Sequence, residues 1–202
     1  MSKQKHLESP CYMRYLKSIR VTAFVPKDNY LYYVTGLVGE CKEFNDIAAE
    51  ECNSWKRSDE LSDIIWYFSF LTSKCLDLTI DLSTKYSQPT ESTESTKATE
   101  STESTESTES TESTEATESI TLLNLSIDIA QLCNKLHRYT LLNQVSKVAD
   151  VTRLIKFSLN EFSQVVGNIL VANNWNLEVL LKYNIKKTYR RYKIDFPQWV
   201  RG

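Results

Sequence analysis

Glycine and proline are scarce in this chain of 202 residues, which contains four of each. Because both residues interrupt helices, their scarcity and the long segments of helical hydrophobic periodicity predict an all-α fold. No apolar run approaches the roughly 18 residues that a membrane span needs, and the polar N-terminal segment lacks the apolar region of a signal peptide. The net charge of −2 gives no argument for binding to nucleic acid or to a membrane. We therefore expect neither partner.

The cysteines show no sign of a disulfide framework. Their number, five, is odd, and their spacing shows no pairs. This is typical of reduced thiols in an intracellular protein, and we predict a cytoplasmic location. Cys41 lies between two acidic residues discussed below, and we interpret it as a small helix residue and not as a metal ligand.

The composition changes abruptly in the middle of the chain. From Gln88 to Ser119 nearly every residue is Ser, Thr or Glu, in a three-residue Thr-Glu-Ser repeat. Such a segment cannot bury a core, so we predict a disordered acidic linker over 88–119 that separates a helical module at 1–87 from a second helical part at 120–202. We interpret the repeat as a tolerated expansion in a surface loop. The functional alternative is a segment that is phosphorylated or that binds a partner.

Two pairs of carboxylates carry the clearest chemical signal. Glu40 and Glu43 are three residues apart, as are Glu60 and Asp63, and residues with this spacing share one face of a helix. Two such helices side by side would bring four carboxylates together, which is unfavourable unless a divalent cation neutralises them. Oxygen ligands favour Mg²⁺, with Mn²⁺ as the alternative. Any one of these residues taken alone is more typical of an ordinary surface charge.

The periodicity also predicts where the helices lie. Gly36 and Gly39 fall inside the second helix, where we expect them to allow close packing against a neighbour. The third helix has Ser58 as its predicted N-cap. Lys56 and Arg57 lie on the connection before it, where they either reach substrate phosphates or are simply solvated. The predicted helical segments are Tyr12–Thr22, Leu31–Glu51, Leu61–Lys74, Ile127–Leu136, Val151–Asn173 and a closing segment that ends near Tyr192.

The acidic residues lie in a pattern that resembles a known family. The segment from Gly36 to Glu43 reads Gly-Leu-Val-Gly-Glu-Cys-Lys-Glu, and the segment from Glu60 to Tyr67 reads Glu-Leu-Ser-Asp-Ile-Ile-Trp-Tyr. Together they resemble the MazG-like, all-α nucleoside triphosphate pyrophosphohydrolases, a superfamily that includes dimeric dUTPases and dCTP pyrophosphatases. The resemblance covers about a third of the chain well. It implies a four-helix-bundle type of fold, a nucleoside triphosphate substrate, and Mg²⁺-dependent release of pyrophosphate for nucleotide-pool sanitation. Members of the family are usually dimers or tetramers, so the resemblance allows a homodimer.

The resemblance also implies roles for individual residues. Glu40, Glu43, Glu60 and Asp63 would hold the metal, and we assign Glu43 as the base that takes a proton from the attacking water. Tyr67 would contact the base or the sugar, although core packing explains an aromatic residue there equally well. The closing segment from Asn184 to Tyr192 is similar to the last helix of the family, with Thr188 in place of the usual Leu. On that match the substrate-binding residues are Asn184, Lys187 and Arg191.

The second part of the chain allows two interpretations. It either supplies the last helices of a single module or is a degraded second copy of the first part, which would make the chain an intramolecular pseudo-dimer. We slightly prefer the second interpretation, in which half of the acidic set is lost. A protein that binds nucleotides without hydrolysis, and a plain helical interaction module, stay as alternatives to an enzyme. The aligned positions of the second copy are Asp128, Gln131, Ser158 and Glu161.

Overall fold

Helices make up almost all of the part of the chain that the structure describes. The computed structural model describes residues 10–22, 29–48, 54–78, 80, 82 and 108–201, and no strand occurs among them. A π-helical turn over Leu71–Cys75 prolongs α3. The all-α prediction is therefore confirmed. The helices are α1 (Pro10–Ile19), α2 (Tyr30–Ala48), α3 (Ser54–Phe70), α4 (Thr108–Leu141), α5 (Val145–Ala172), α6 (Leu177–Tyr192) and α7 (Gln198–Arg201).

Helix α3 occupies a central position. It packs against α1, α2 and α6. The ring of its Phe68 side chain stacks on the ring of Phe162 of α5, with the centroids 5.2 Å apart. Leu61, Ile64 and Ile65 are buried around it, as expected for a helix that is apolar on nearly every side. The acidic residues of α3 are thus carried by a helix with neighbours on several faces.

One hydrophobic core unites the two parts of the chain that flank the repeat. Helix α2 packs against α4, and α6 packs against α3 and α1. Buried side chains from all of these helices belong to one continuous cluster. Burial of this shared apolar surface is the main driving force for holding the two parts together.

Residues in the left-handed conformation end three of the helices. Asn143 (φ 51°) follows α4, Asn174 (φ 52°) follows α5, and Lys193 (φ 54°) follows α6. Asparagine tolerates this conformation better than most residues and is a common helix terminator. The side chain of Asn176 then caps the start of α6 by accepting a hydrogen bond from the Val179 amide.

Helix α4 begins earlier than the sequence pattern indicates. It starts at Thr108, so the prediction of disorder for 108–119 is wrong; the rest of the predicted linker, 88–107, lies outside the described residues. Ser119 is buried, and its hydroxyl donates a hydrogen bond to Asn45 Oδ1 at 3.1 Å. Helix propagation is inexpensive once a packed segment such as the one around Leu122 has nucleated it, so the repeat residues next to that segment join the helix.

Helix α3 also begins before its predicted start. Its first residue is Ser54, so Lys56 and Arg57 lie in the first helical turn and not on a connecting loop. Ser58 is not the N-cap: it is buried, and its hydroxyl donates to the Trp55 carbonyl at 2.8 Å. A serine within a helix commonly bonds back to the preceding turn in this way.

The outer limits of α1 and α2 differ less from the predictions. Helix α1 ends at Ile19, and the hydroxyl of Thr22 donates to the Ile19 carbonyl at 2.8 Å just beyond it. Helix α2 is described as far as Ala48, and its predicted last residues, 49–51, lie outside the described residues.

Candidate functional site

Helices α2 and α3 bring three of the four predicted metal ligands together. One carboxylate oxygen from each of Glu40, Glu60 and Asp63 lies within 4.8 Å of the others. Glu40 is on α2, whereas Glu60 and Asp63 lie one turn apart on α3. Direct packing of these two helices therefore creates the group, which we call the acidic cluster.

Ionisation of the carboxyl groups in the acidic cluster is unfavourable. Burial, followed by the charges of Asp63, Glu43 and Glu60, raises the pKa of Glu40 to about 8. Burial is also the main cause that raises the pKa of Glu60. A divalent cation would offset this repulsion. Three hard oxygen donors on two packed helices fit Mg²⁺ or Mn²⁺ well.

Glu43 lies outside the acidic cluster. Its side chain is exposed on α2, and the three residues whose oxygens meet do not include it. Its charge nevertheless contributes to raising the pKa of both Glu40 and Glu60. Glu43 is therefore close enough to act on the cluster electrostatically, from a position that solvent reaches.

Helix α6 supplies the polar partners of Asp63. The amide of Asn184 donates to Asp63 Oδ1 at 3.0 Å, and Lys187 Nζ lies 2.6 Å from Asp63 Oδ2. Both oxygens of Asp63 are thus engaged. Burial raises the pKa of the Asp63 carboxyl, and this outweighs the opposing effect of Lys187.

Asn184 is the polar centre of the contact between α6 and its neighbours. It is buried, with 1% of its surface exposed. Besides Asp63, its amide donates to the Ser62 carbonyl at 3.1 Å, and its side-chain oxygen accepts from the Tyr15 hydroxyl at 3.0 Å. This network joins α1, α3 and α6, so Asn184 fixes the position of α6 beside the cluster.

Asp59 belongs to the site although its sequence pattern does not mark it. Its Oδ1 lies 2.5 Å from Lys187 Nζ. Burial lowers the pKa of Lys187, but hydrogen bonds to Asp59 and Asp63 outweigh this and raise it. Asp59 and Asp63 are four residues apart and therefore share one helix face. This spacing is the sequence signal that could have revealed the pair.

Tyr67 lies beside the acidic cluster, one turn after Asp63. Burial raises its pKa, with further contributions from Tyr32 and from the charge of Glu40. Its ring packs against Gly36 of α2 and meets Trp66 edge to face, with the centroids 4.9 Å apart. Tyr67 is half-buried, so it has both a packed face and an accessible part.

The remaining predicted substrate-binding residues lie around the cluster. Lys56 is exposed in the first turn of α3, and the guanidinium of Arg57 lies 5.1 Å from the ring centre of Phe44. Arg191 is exposed on α6, and its charge contributes to lowering the pKa of Asp63. The structure therefore places Arg191 near the cluster and gives Arg57 a packing contact.

An aromatic pair that the sequence pattern did not indicate lies at the start of α3. Trp55, which is 59% exposed, meets Tyr183 of α6 edge to face with the centroids 4.8 Å apart. The Lys187 ammonium lies 5.9 Å from the centre of the Tyr183 ring. The pair thus adjoins the lysine that contacts Asp63.

The residues aligned with the acidic motif in the second part have a different setting. Asp128 and Gln131 are exposed on α4, and Ser158 and Glu161 are half-buried on α5. Cys41 is buried in the core, and burial raises the pKa of its thiol. These positions contribute nothing to the acidic cluster.

Comparisons of the chain with family models, with curated proteins and with solved structures return no match. Within the described ranges, no helix is both long enough and apolar enough to cross a lipid bilayer. The assignment of a family therefore stays a prediction that rests on the two motifs and on the closing helix.

Proposed function

We propose that the protein is a Mg²⁺-dependent nucleoside triphosphate pyrophosphohydrolase that releases a nucleoside monophosphate and pyrophosphate. The observation that supports this most is the acidic cluster of Glu40, Glu60 and Asp63, with oxygens within 4.8 Å of one another. A second support is Lys187, a cation on the neighbouring helix that contacts Asp63. Carboxylates for a metal and a cation for phosphate oxygens are the two elements that such chemistry needs.

Glu40, Glu60 and Asp63 would hold the metal, with Glu43 at the exposed edge. When bound, the metal ion screens phosphate charge and acidifies or orients a water. Glu43 can accept a proton from that water, because its side chain is exposed at the edge of the cluster and a carboxylate can serve as a general base. Lys187, Arg190 and Arg191 on α6 carry the positive charges that bind and orient the phosphates.

Tyr67 would contact the nucleoside. It lies one helical turn beyond Asp63, and Tyr32, which is 45% exposed, accompanies it on α2. Aromatic rings of this kind offer a stacking surface for a base and a hydroxyl for a hydrogen bond.

The preference for a degraded second copy remains part of this proposal. In that arrangement α4 and α5 correspond to α2 and α3, and the chain is a pseudo-dimer with one working acidic site. The direct packing of α2 on α4 and the shared core are compatible with this arrangement. Association of two chains into a homodimer is the further expectation.

Pyrophosphate release from a panel of canonical and modified nucleoside triphosphates tests the function. The assay uses Mg²⁺ or Mn²⁺ and compares the wild type with Glu60→Gln. We expect release by the wild type and its loss in Glu60→Gln, because the substitution removes one charged oxygen ligand. Glu178→Gln is the matched control, since Glu178 is exposed and pairs with Lys182 on α6. Equal turnover by Glu60→Gln and Glu178→Gln would refute the site.

A nucleotide-binding protein without hydrolytic activity is the second candidate. It is favoured by one observation, that Glu43 lies outside the group of three carboxylates whose oxygens meet. Thermal stabilisation by nucleotides without pyrophosphate release would support this candidate. Absence of both effects would favour a helical interaction module.

A further inference from the structure

Lys187 contacts two carboxylates of α3 at the same time. Its ammonium lies 2.5 Å from Asp59 Oδ1 and 2.6 Å from Asp63 Oδ2. The lysine side chain is only 20% exposed, so solvent screens these contacts less than it screens surface pairs. Of the two carboxylates, Asp63 belongs to the acidic cluster and Asp59 does not.

This arrangement makes Lys187 a competitor for Asp63. The second oxygen of Asp63 is engaged by Asn184, so any cation that binds Asp63 must share it with a positively charged neighbour. Two cations near one carboxylate repel each other, and the repulsion is strong where solvent is partly excluded. If Lys187 lost its carboxylate partners in this partly buried site, its positive charge would be uncompensated.

Asp59 offers the lysine a second partner on the same helix face. Asp59 and Asp63 are one turn apart, so a small movement of the ammonium can transfer its contact entirely to Asp59. The lysine then stays paired and close to the cluster while Asp63 becomes available to a divalent cation.

We propose that Asp59 is a positioning residue that draws Lys187 away from Asp63 when a divalent cation binds, and that keeps the lysine next to the phosphates of the substrate. This inference rests on the metal centre of the proposed function. It assigns a role to a carboxylate outside the predicted set of four metal ligands.

Binding of Mn²⁺ to the purified chain, followed by electron paramagnetic resonance of the free ion, tests this role without any turnover. In Asp59→Asn the lysine has only Asp63 as a charged partner, so we expect the affinity for Mn²⁺ to fall roughly five-fold. In Lys187→Gln the competitor is gone, so we expect the affinity to rise. Opposite effects of the two substitutions are the specific signature, because mere structural damage would lower the affinity in both.

Three further variants complete the design. Asp59→Glu keeps the charge and should retain most of the affinity, and Lys187→Arg keeps the competitor and should not reproduce the rise. Asp46→Asn is the matched control, because Asp46 forms an exposed pair with Lys42 one turn away on α2. Its affinity for Mn²⁺ should equal that of the wild type, and thermal unfolding verifies that each variant is folded.

The outcomes separate this inference from the proposed function. Wild-type binding of Mn²⁺ with unchanged affinities in Asp59→Asn and Lys187→Gln would overturn the role of Asp59 and leave the metal centre intact. A fall in affinity in both variants would also overturn it. No Mn²⁺ binding by the wild type would overturn the metal centre and the inference with it.

Discussion

The ring of Tyr67 on α3 occupies the space where a β-carbon on Gly36 of α2 would lie. A β-carbon built at Gly36 would stand 2.2 Å from Cε1 and 2.5 Å from Cζ of that ring. The absence of a side chain at Gly36 therefore lets the two helices hold Tyr67 beside Glu40. At Gly39, one turn further along α2, a β-carbon would meet nothing within 4 Å.

Substitution of Gly36 by alanine should displace the Tyr67 ring. The new methyl group cannot coexist with the ring at this distance, so we expect the free energy of unfolding to fall by about 1–3 kcal/mol. If Tyr67 contacts the nucleoside, KM for the substrate should also rise. Urea unfolding and steady-state kinetics measure the two effects.

Gly39→Ala is the matched control for this substitution. The β-carbon has open space there, and alanine favours a helix over glycine by roughly 1 kcal/mol, so the control should be neutral or stabilising. An equally stable Gly36→Ala variant would show that the ring moves without cost. The prediction that both glycines allow close packing holds for Gly36 and is wrong for Gly39.

The helical nature of the chain and the pairing of Glu60 with Asp63 could be predicted because both depend on local spacing. Residues three apart share a helix face wherever the helix lies, so Glu60 and Asp63 were paired by sequence alone. Their contact with Glu40 needed the further assumption that α2 and α3 pack together. The same spacing rule gave Glu43 equal weight, but the rotation of α2 about its axis leaves Glu43 exposed.

The spacing of Asp59 and Asp63 places them on one helix face, but their shared partner Lys187 could not be predicted, because it lies 128 positions from Asp59 in sequence. Only the tertiary structure brings Lys187 of α6 between Asp59 and Asp63. The start of α4 was hidden for a different reason: the Thr-Glu-Ser repeat has no helical periodicity of its own. Its last residues are helical because the neighbouring segment, which includes the buried Leu122, packs against the core.

At the end of the repeat, substitution of Ser119 should change the stability of the fold, whereas substitution of Thr117 should not. Ser119 is 1% exposed and bonds Asn45 of α2, whereas the Thr117 side chain is exposed. A buried arginine would need space and a charged partner at this helix contact, so Ser119→Arg should lower the free energy of unfolding by roughly 2 kcal/mol or more.

Thr117→Arg is the control, and its stability should lie within about 0.5 kcal/mol of the wild type, as for most surface substitutions. Chemical denaturation of the full chain measures both variants. Equal stability of Ser119→Arg and Thr117→Arg would contradict the packing of the repeat's last residues against α2.

The acidic cluster should make stability depend on pH in the absence of divalent cations. Burial and the neighbouring carboxylates raise the pKa of Glu40 from its ordinary value of 4.5 to about 8. Between these values the folded state binds more protons than the unfolded state, so the stabilising contribution is present below pH 4.5 and is lost as the pH rises to about 8.

We therefore expect Glu40→Gln to unfold at a higher temperature than the wild type at pH 8 in a chelator, and Glu178→Gln to show no such gain. Addition of Mg²⁺ should stabilise the wild type and not Glu40→Gln, because the cation replaces the proton as the source of neutralisation. If the wild type were as stable as Glu40→Gln at pH 8 in the chelator, repulsion within the acidic cluster would not be lowering the stability of the folded state.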